Sequence, residues 1–206
     1  WYLGRQIVKE TMNVLDNSMF GFKDLAGCKI YLKAFQLNTI MQCLQSERCR
    51  YMLADEVGLG KTIEACSVLK IYLSNKAERK VLITVPRVLV AQWRTELLFK
   101  FGIIEGENEN GNNVQLIAVE DISEKIEQQK WDFVVVDEVH NYLNRDQAYK
   151  KVHKLSTNAE NIILLSATPI QQRQSEYLSL LRLILPDKYD LVTLEDFFVL
   201  VEKQNK

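Results

Sequence analysis

The chain has 206 residues, 47% hydrophobic and 26% charged, enough to bury the core of one ordinary domain. With 26 basic and 27 acidic residues its formal net charge is −1, so any nucleic-acid contact must come from a local patch rather than a chain-wide basic surface. No apolar run reaches the ~18 residues of a membrane span, and Cys28, Cys43, Cys49 and Cys66 form no Cys-x-x-Cys pair that, with only two histidines, would suggest zinc.

In chain order, the sequence opens on Trp1 without an initiator Met or a secretory leader and reads as a piece of a longer cytoplasmic protein with reduced thiols. Val8, Met12, Leu15 and Met19 share one face of a helix, giving residues 1–29 the look of a bracing segment. A second helix is expected to about Leu44, then a strand over 51–54. Gly58-x-Gly60-Lys61-Thr62 opens a helix over 62–73, with Ile63, Cys66, Leu69 and Leu73 at helical spacing. Residues 81–85 read as a buried parallel strand ended by Pro86, and 88–101 as a helix with Trp93, Leu97 and Phe101 four apart. The Gly/Asn-rich stretch 106–113 reads as a solvated loop and the least ordered segment. Strands are expected at 114–119, 132–136 and 162–165, and helices at 120–129, 145–158, 176–185 and 194–203, with Pro186 as a breaker. Strands alternating with helices predict an α/β fold with a mainly parallel sheet.

Ligands of such sheets bind beyond the carboxyl ends of the strands, and four unusual stretches fall there. Residues 51–62 have the chemistry of a phosphate cradle. Glycines let backbone N–H groups turn inward at a helix N-terminus, Lys61 reaches the β- and γ-phosphates, and the Thr62 hydroxyl ligates Mg²⁺. The general pattern asks for Gly at position 55, where this chain has Asp55, so on that pattern alone a Gly-rich turn before an ordinary helix N-terminus, with Lys61 solvated, is the alternative. The others are 84–86, 137–140 and 166–168. Asp137 and Glu138 come after a buried apolar run, where carboxylates need a positive or hydrogen-bonding partner. A Mg²⁺ shared by Thr62, a nucleotide and Asp137 through water would serve, with Glu138 orienting or deprotonating the attacking water. A pair that merely caps the next helix is the alternative.

The segments 32–37, 53–65, Val85-Pro86 with Gln92-Trp93, 137–140 (Asp-Glu-Val-His) and 165–169 (Leu-Ser-Ala-Thr-Pro) occur in the order of the superfamily-two helicase motifs. The chain resembles the Swi/Snf-type ATPases, and with Val57 and Ile63-Glu64-Ala65 it is most similar to the bacterial RapA-like group. That resemblance implies a RecA-like P-loop NTPase lobe over 30–190, helices on both faces of its sheet, and a helix over 191–206 leading to a second RecA-like lobe. It implies ATP and Mg²⁺ as cofactors, with Gln36 reading the adenine edge and Glu56, Val57, Gly58, Leu59, Gly60, Lys61 and Thr62 around the phosphates. Thr62 and Asp137 would meet the metal, Glu138 would be the catalytic carboxylate, and Lys61 and Asp137 would act with it. His140 with Ser166, Ala167 and Thr168 would couple the nucleotide to nucleic acid, although His140 also reads as a capping or packing histidine. Pro86, Arg87, Gln92 and Trp93 fall in the region that touches one DNA strand in the family, although Trp93 is spaced equally well for the core. The chain departs from the family at Lys33-Ala34-Phe35, where Arg-Pro-Tyr or Pro-His is usual, and at 119–121, which lack the customary Ser or Thr. The implied activity is ATP-driven movement on double-stranded DNA, nucleoid-associated if bacterial and without a membrane partner. The lobe alone would be nearly inactive, because the family's completing arginines lie in the other lobe. A strand-separating DNA or RNA helicase and a nucleotide-sensing module are the alternatives.

Overall fold

Aliphatic and β-branched residues run almost unbroken through the strand segments, as strands covered on both faces require. The computed structural model describes residues 21–54, 58–166 and 174–204. Within them a six-stranded sheet has the spatial order β1-β6-β5-β2-β4-β3. Here β1 is Arg50–Leu53, β2 Lys80–Val85, β3 Gly106–Glu107, β4 Asn113–Ala118, β5 Trp131–Val136 and β6 Ala159–Leu165. Only the short β3 pairs antiparallel, with β4; the other pairings are parallel.

Parallel neighbours need long crossovers, which helices supply. In chain order these are α1 (Ala34–Gln45), α2 (Lys61–Asn75), α3 (Val90–Phe101), α4 (Glu124–Gln128), α5 (Asp146–Thr157), α6 (Gln174–Ile184), α7 (Pro186–Tyr189) and α8 (Leu194–Gln204). Strand side chains alternate between faces. Ile83 and Val85 of β2, Val135 of β5 and Ile163 of β6 pack with Ile40, Leu69 and Leu97 from α1, α2 and α3. Leu82, Val134, Val136 and Ile162 face the other way, onto Val152 and Leu155 of α5 and Leu183 of α6. Helices therefore cover both faces, and the parallel strands end along one edge. Among the described residues no helix is long and apolar enough to cross a membrane.

Three segments differ from the sequence expectation. Residues 106–113 are not simply a solvated loop: they close the β3–β4 hairpin, and Asn112 is 1% exposed. Its Nδ2 donates to the carbonyls of Leu73 and Lys76, both at 3.0 Å, while Oδ1 accepts the Arg79 N–H at 2.7 Å. The side chain thus satisfies carbonyls at the end of α2 that the helix itself leaves open. Pro186 opens α7 instead of only ending α6, at a first-turn position where its missing N–H costs nothing. The helix expected over 120–129 divides into a 3₁₀ turn, Val119–Asp121, and α4. The bracing helix expected from Val8, Met12, Leu15 and Met19 lies outside the described residues.

Candidate active site

The carboxyl edge of the sheet gathers the segments that leave β1, β2, β5 and β6. After β1 the chain reaches Gly58 and Gly60, with φ of +85° and +95°, conformations that glycine adopts without strain. At Gly60 a second constraint applies, because a Cβ there would land on the Gln36 amide nitrogen. Gly60 also offers no side chain to cap α2, whose first-turn N–H groups carry the helix's partial positive charge. Lys61 and Thr62 stand in that turn, each half-buried. Gln36, 4% exposed, sits against the loop: its Nε2 donates to the Leu59 carbonyl and its Oε1 accepts the Lys33 N–H, both at 2.9 Å. Asp55, Glu56 and Val57 lie outside the described residues.

Beyond β5, the Asp137 N–H donates to the Thr84 carbonyl at 2.9 Å, prolonging the strand ladder into the site. Both Asp137 carboxylate oxygens are held. Oδ2 accepts the Trp93 indole N–H at 2.7 Å and Oδ1 accepts the Glu138 N–H at 2.8 Å. Burial pushes the Asp137 carboxyl above the ordinary range, against the pull of these two donors and of nearby Lys61. Glu138 itself takes φ 49° and ψ 44°, a left-handed backbone that a residue with a side chain adopts at a cost of about 1–3 kcal/mol. His140 Nδ1 lies 3.2 Å from Ser166 Oγ and 3.2 Å from Glu138 Oε2. The second approach lacks hydrogen-bond geometry: Oε2 is buried and accepts no hydrogen bond among the described residues. Ser166, fully buried, continues β6 by donating its N–H to the Leu53 carbonyl at 3.1 Å. Ala167 and Thr168 lie outside the described residues.

A family model described as the SNF2-related domain matches residues 33–102 and 113–203, which include Gly58–Thr62 and Asp137–His140. The chain belongs to this family. The break in the match, 103–112, falls on the β3 hairpin. RNA polymerase-associated protein RapA of Pseudomonas putida (strain GB-1) is 32% identical over 213 residues, covering 92% of this chain and 22% of that protein. The RapA protein of Erwinia tasmaniensis is 31% identical, over 87% of this chain and 21% of its own. This chain therefore spans about a fifth of these relatives. The Sulfolobus solfataricus SWI2/SNF2 ATPase core, solved in complex with dsDNA, has the same fold, with a TM-score of 0.70 at 20% identity over 85% of this chain and 40% of that one. The RecA-like α/β architecture expected from the sequence is the one found.

In this SNF2-related domain the segment after β2 divides in two. Arg87 and Val88 are exposed, and Arg87 pairs with Asp121 at 2.7 Å across the ends of β2 and β4. Pro86 is half-buried, and Gln92 is exposed and bonded to Glu96. Trp93 takes the core alternative: at 1% exposure its ring packs from α3 with Leu97 and Phe101, and its N–H turns to Asp137. Spacing four from Leu97 marked the ring as apolar filling, but only the fold brings its donor to a carboxylate 44 positions away. Glu64, legible only as part of a motif, is fully buried in the first turn of α2.

Proposed function

We propose that this domain is the ATP-binding lobe of a cytoplasmic, ATP-dependent double-stranded-DNA translocase that works against a second RecA-like lobe in cis. One observation carries the reading. Two adjacent carboxylates share the strand edge with the start of α2; Asp137 is held at both oxygens, whereas the Glu138 side chain is 27% exposed and its Oε2 accepts no hydrogen bond among the described residues. A fixed carboxylate suits a metal partner, and a partly exposed one suits a water that must be oriented or deprotonated.

ATP and Mg²⁺ fit the residues present. The donor set is all oxygen on the metal side (Thr62 and Asp137) and cationic or N–H on the phosphate side (Lys61 and the first turn of α2). Bound Mg·ATP supplies the scissile phosphoanhydride and the metal's charge. Lys61 steadies the phosphates. Glu138 receives the proton of the attacking water, or orients it, at its carboxylate. Gln36 retains one N–H and one lone pair after its bonds to Leu59 and Lys33, the pair an adenine edge takes. His140, between Glu138 and Ser166, links the carboxylate to the segment of Ala167 and Thr168, which we assign to coupling. Pro86, Arg87 and Gln92 form the nucleic-acid side. The double-stranded DNA in the Sulfolobus complex favours DNA over RNA.

The test is fluorescence titration of the protein with mant-ATP and Mg²⁺. We expect binding that Lys61→Ala weakens by roughly tenfold or more, the loss of a charged hydrogen bond. Equal affinity in the two proteins would overturn the site.

A further inference from the structure

We propose that Trp93 is a positioning residue for the nucleotide site: its indole N–H orients the Asp137 carboxylate toward the metal. The inference rests on the reading of Asp137 as metal partner. The ring lies in the core with Leu97 and Phe101, where apolar bulk is all that packing requires. A phenyl ring would supply bulk without a donor. Tryptophan brings an N–H that has to be paired once buried, and here the partner is Asp137 Oδ2 at 2.7 Å. The Glu138 backbone N–H holds Oδ1 at 2.8 Å. One donor thus comes from α3 and the other from the chain just past β5, so the plane of the carboxylate is set from two independent elements. Each oxygen keeps a lone pair for the side that the fixed donors do not occupy. Partners that hold a ligating carboxylate in this way typically change metal affinity by about 10- to 100-fold when removed. The motif segment after β2 thereby serves the metal side at its buried end as well as offering Arg87 and Val88 at its exposed end.

The experiment measures mant-ATP binding against Mg²⁺ concentration and again in EDTA. It uses the unmodified protein, Trp93→Phe, Asp137→Asn, and a form with Trp93 replaced by 3-benzothienylalanine, which keeps the bicyclic bulk and loses only the donor. Expected is a roughly tenfold rise in the Mg²⁺ needed for half-maximal binding in both Trp93 forms, with nucleotide affinity in EDTA unchanged for the benzothienyl form. If Asp137→Asn shifts the Mg²⁺ dependence and the benzothienyl form does not, the role of Trp93 is overturned and the reading of Asp137 stands. If the benzothienyl form weakens binding equally with and without Mg²⁺, Trp93 is packing alone and the inference fails. If even Asp137→Asn leaves the Mg²⁺ dependence unmoved, the metal reading fails and takes the inference with it.

Discussion

Gln36 and Glu138 lie at opposite ends of the same chemistry, and their surroundings give them different tests. The Gln36 amide is fixed by Leu59 and Lys33 before any ligand arrives. Gln36→Ala should therefore erase a preference for ATP over GTP worth about 1 kcal/mol while leaving phosphate affinity nearly intact. Competition of ATP and GTP for the mant-nucleotide decides it, and an unmodified protein that binds both equally would end the adenine assignment. For Glu138 the amide isostere fits the same left-handed backbone but cannot accept a proton. In the full-length protein, Glu138→Gln should bind Mg·ATP normally and lose hydrolysis by about 10²–10⁴-fold, the usual worth of a general base. Normal turnover in that variant would place the catalytic carboxylate elsewhere. In the sequence Glu138 stood out by its place after a buried strand, whereas Gln36 looked like an ordinary helix glutamine and was singled out only by the family resemblance. The Trp93 donor was not legible, because helical spacing reports which face a residue occupies and says nothing about where one ring nitrogen points.

At the scale of elements, Arg50 ties three of them together. From the first position of β1 its guanidinium donates to the carbonyls of Ser156, Ala159, Leu183 and Ile184 and to Ser156 Oγ, closing the ends of α5 and α6 and the start of β6. Ser156 Oγ adds its own bond to the Leu183 carbonyl. Burial lowers the Arg50 pKa from its ordinary value, against the pull of Asp187. Arg50→Ala leaves several of them without a donor and should cost on the order of 3 kcal/mol. Arg79, whose pairing with Asp132 at 2.8 Å is partly exposed, should cost about 1 kcal/mol or less when changed to Ala. Urea midpoints of the two variants compare them directly, and an Arg50→Ala loss no larger than that of Arg79→Ala would contradict the clamp. The sequence showed the run of strands and helices well, because apolar stretches bounded by turn residues have few other uses. It misread 106–113, since an Asn-rich stretch has the same composition whether its amides face water or close the end of α2.

For the whole chain, the parallel order of β1, β6, β5, β2 and β4 brings the carboxyl ends of these strands to one edge, and to that edge we assign the site. Alternation of strands and helices was enough to expect this sheet, and the motif order was enough to expect the family. The opposing face of the nucleotide could not be read from either. Arg182 of this chain donates to the carbonyls of Tyr189 and Val192 and holds α6 against the turn before α8. Arg173 lies outside the described residues. We therefore assign the transition-state cations to a second lobe, where an arginine finger is worth roughly 10³–10⁵ in turnover. Duplex DNA should accelerate only the two-lobe protein, and Arg87→Ala should weaken its DNA affinity without altering mant-ATP binding by this lobe. The most direct measurement is steady-state phosphate release by the 206-residue chain and by a longer protein that joins it to the proposed second lobe, each with and without duplex DNA. We predict that the chain alone turns over at least ~10³-fold more slowly than the DNA-bound longer protein and does not respond to DNA. Turnover by the chain alone near ~1 s⁻¹ or above, within the ordinary enzyme range, abolished by Lys61→Ala, would contradict the two-lobe assignment.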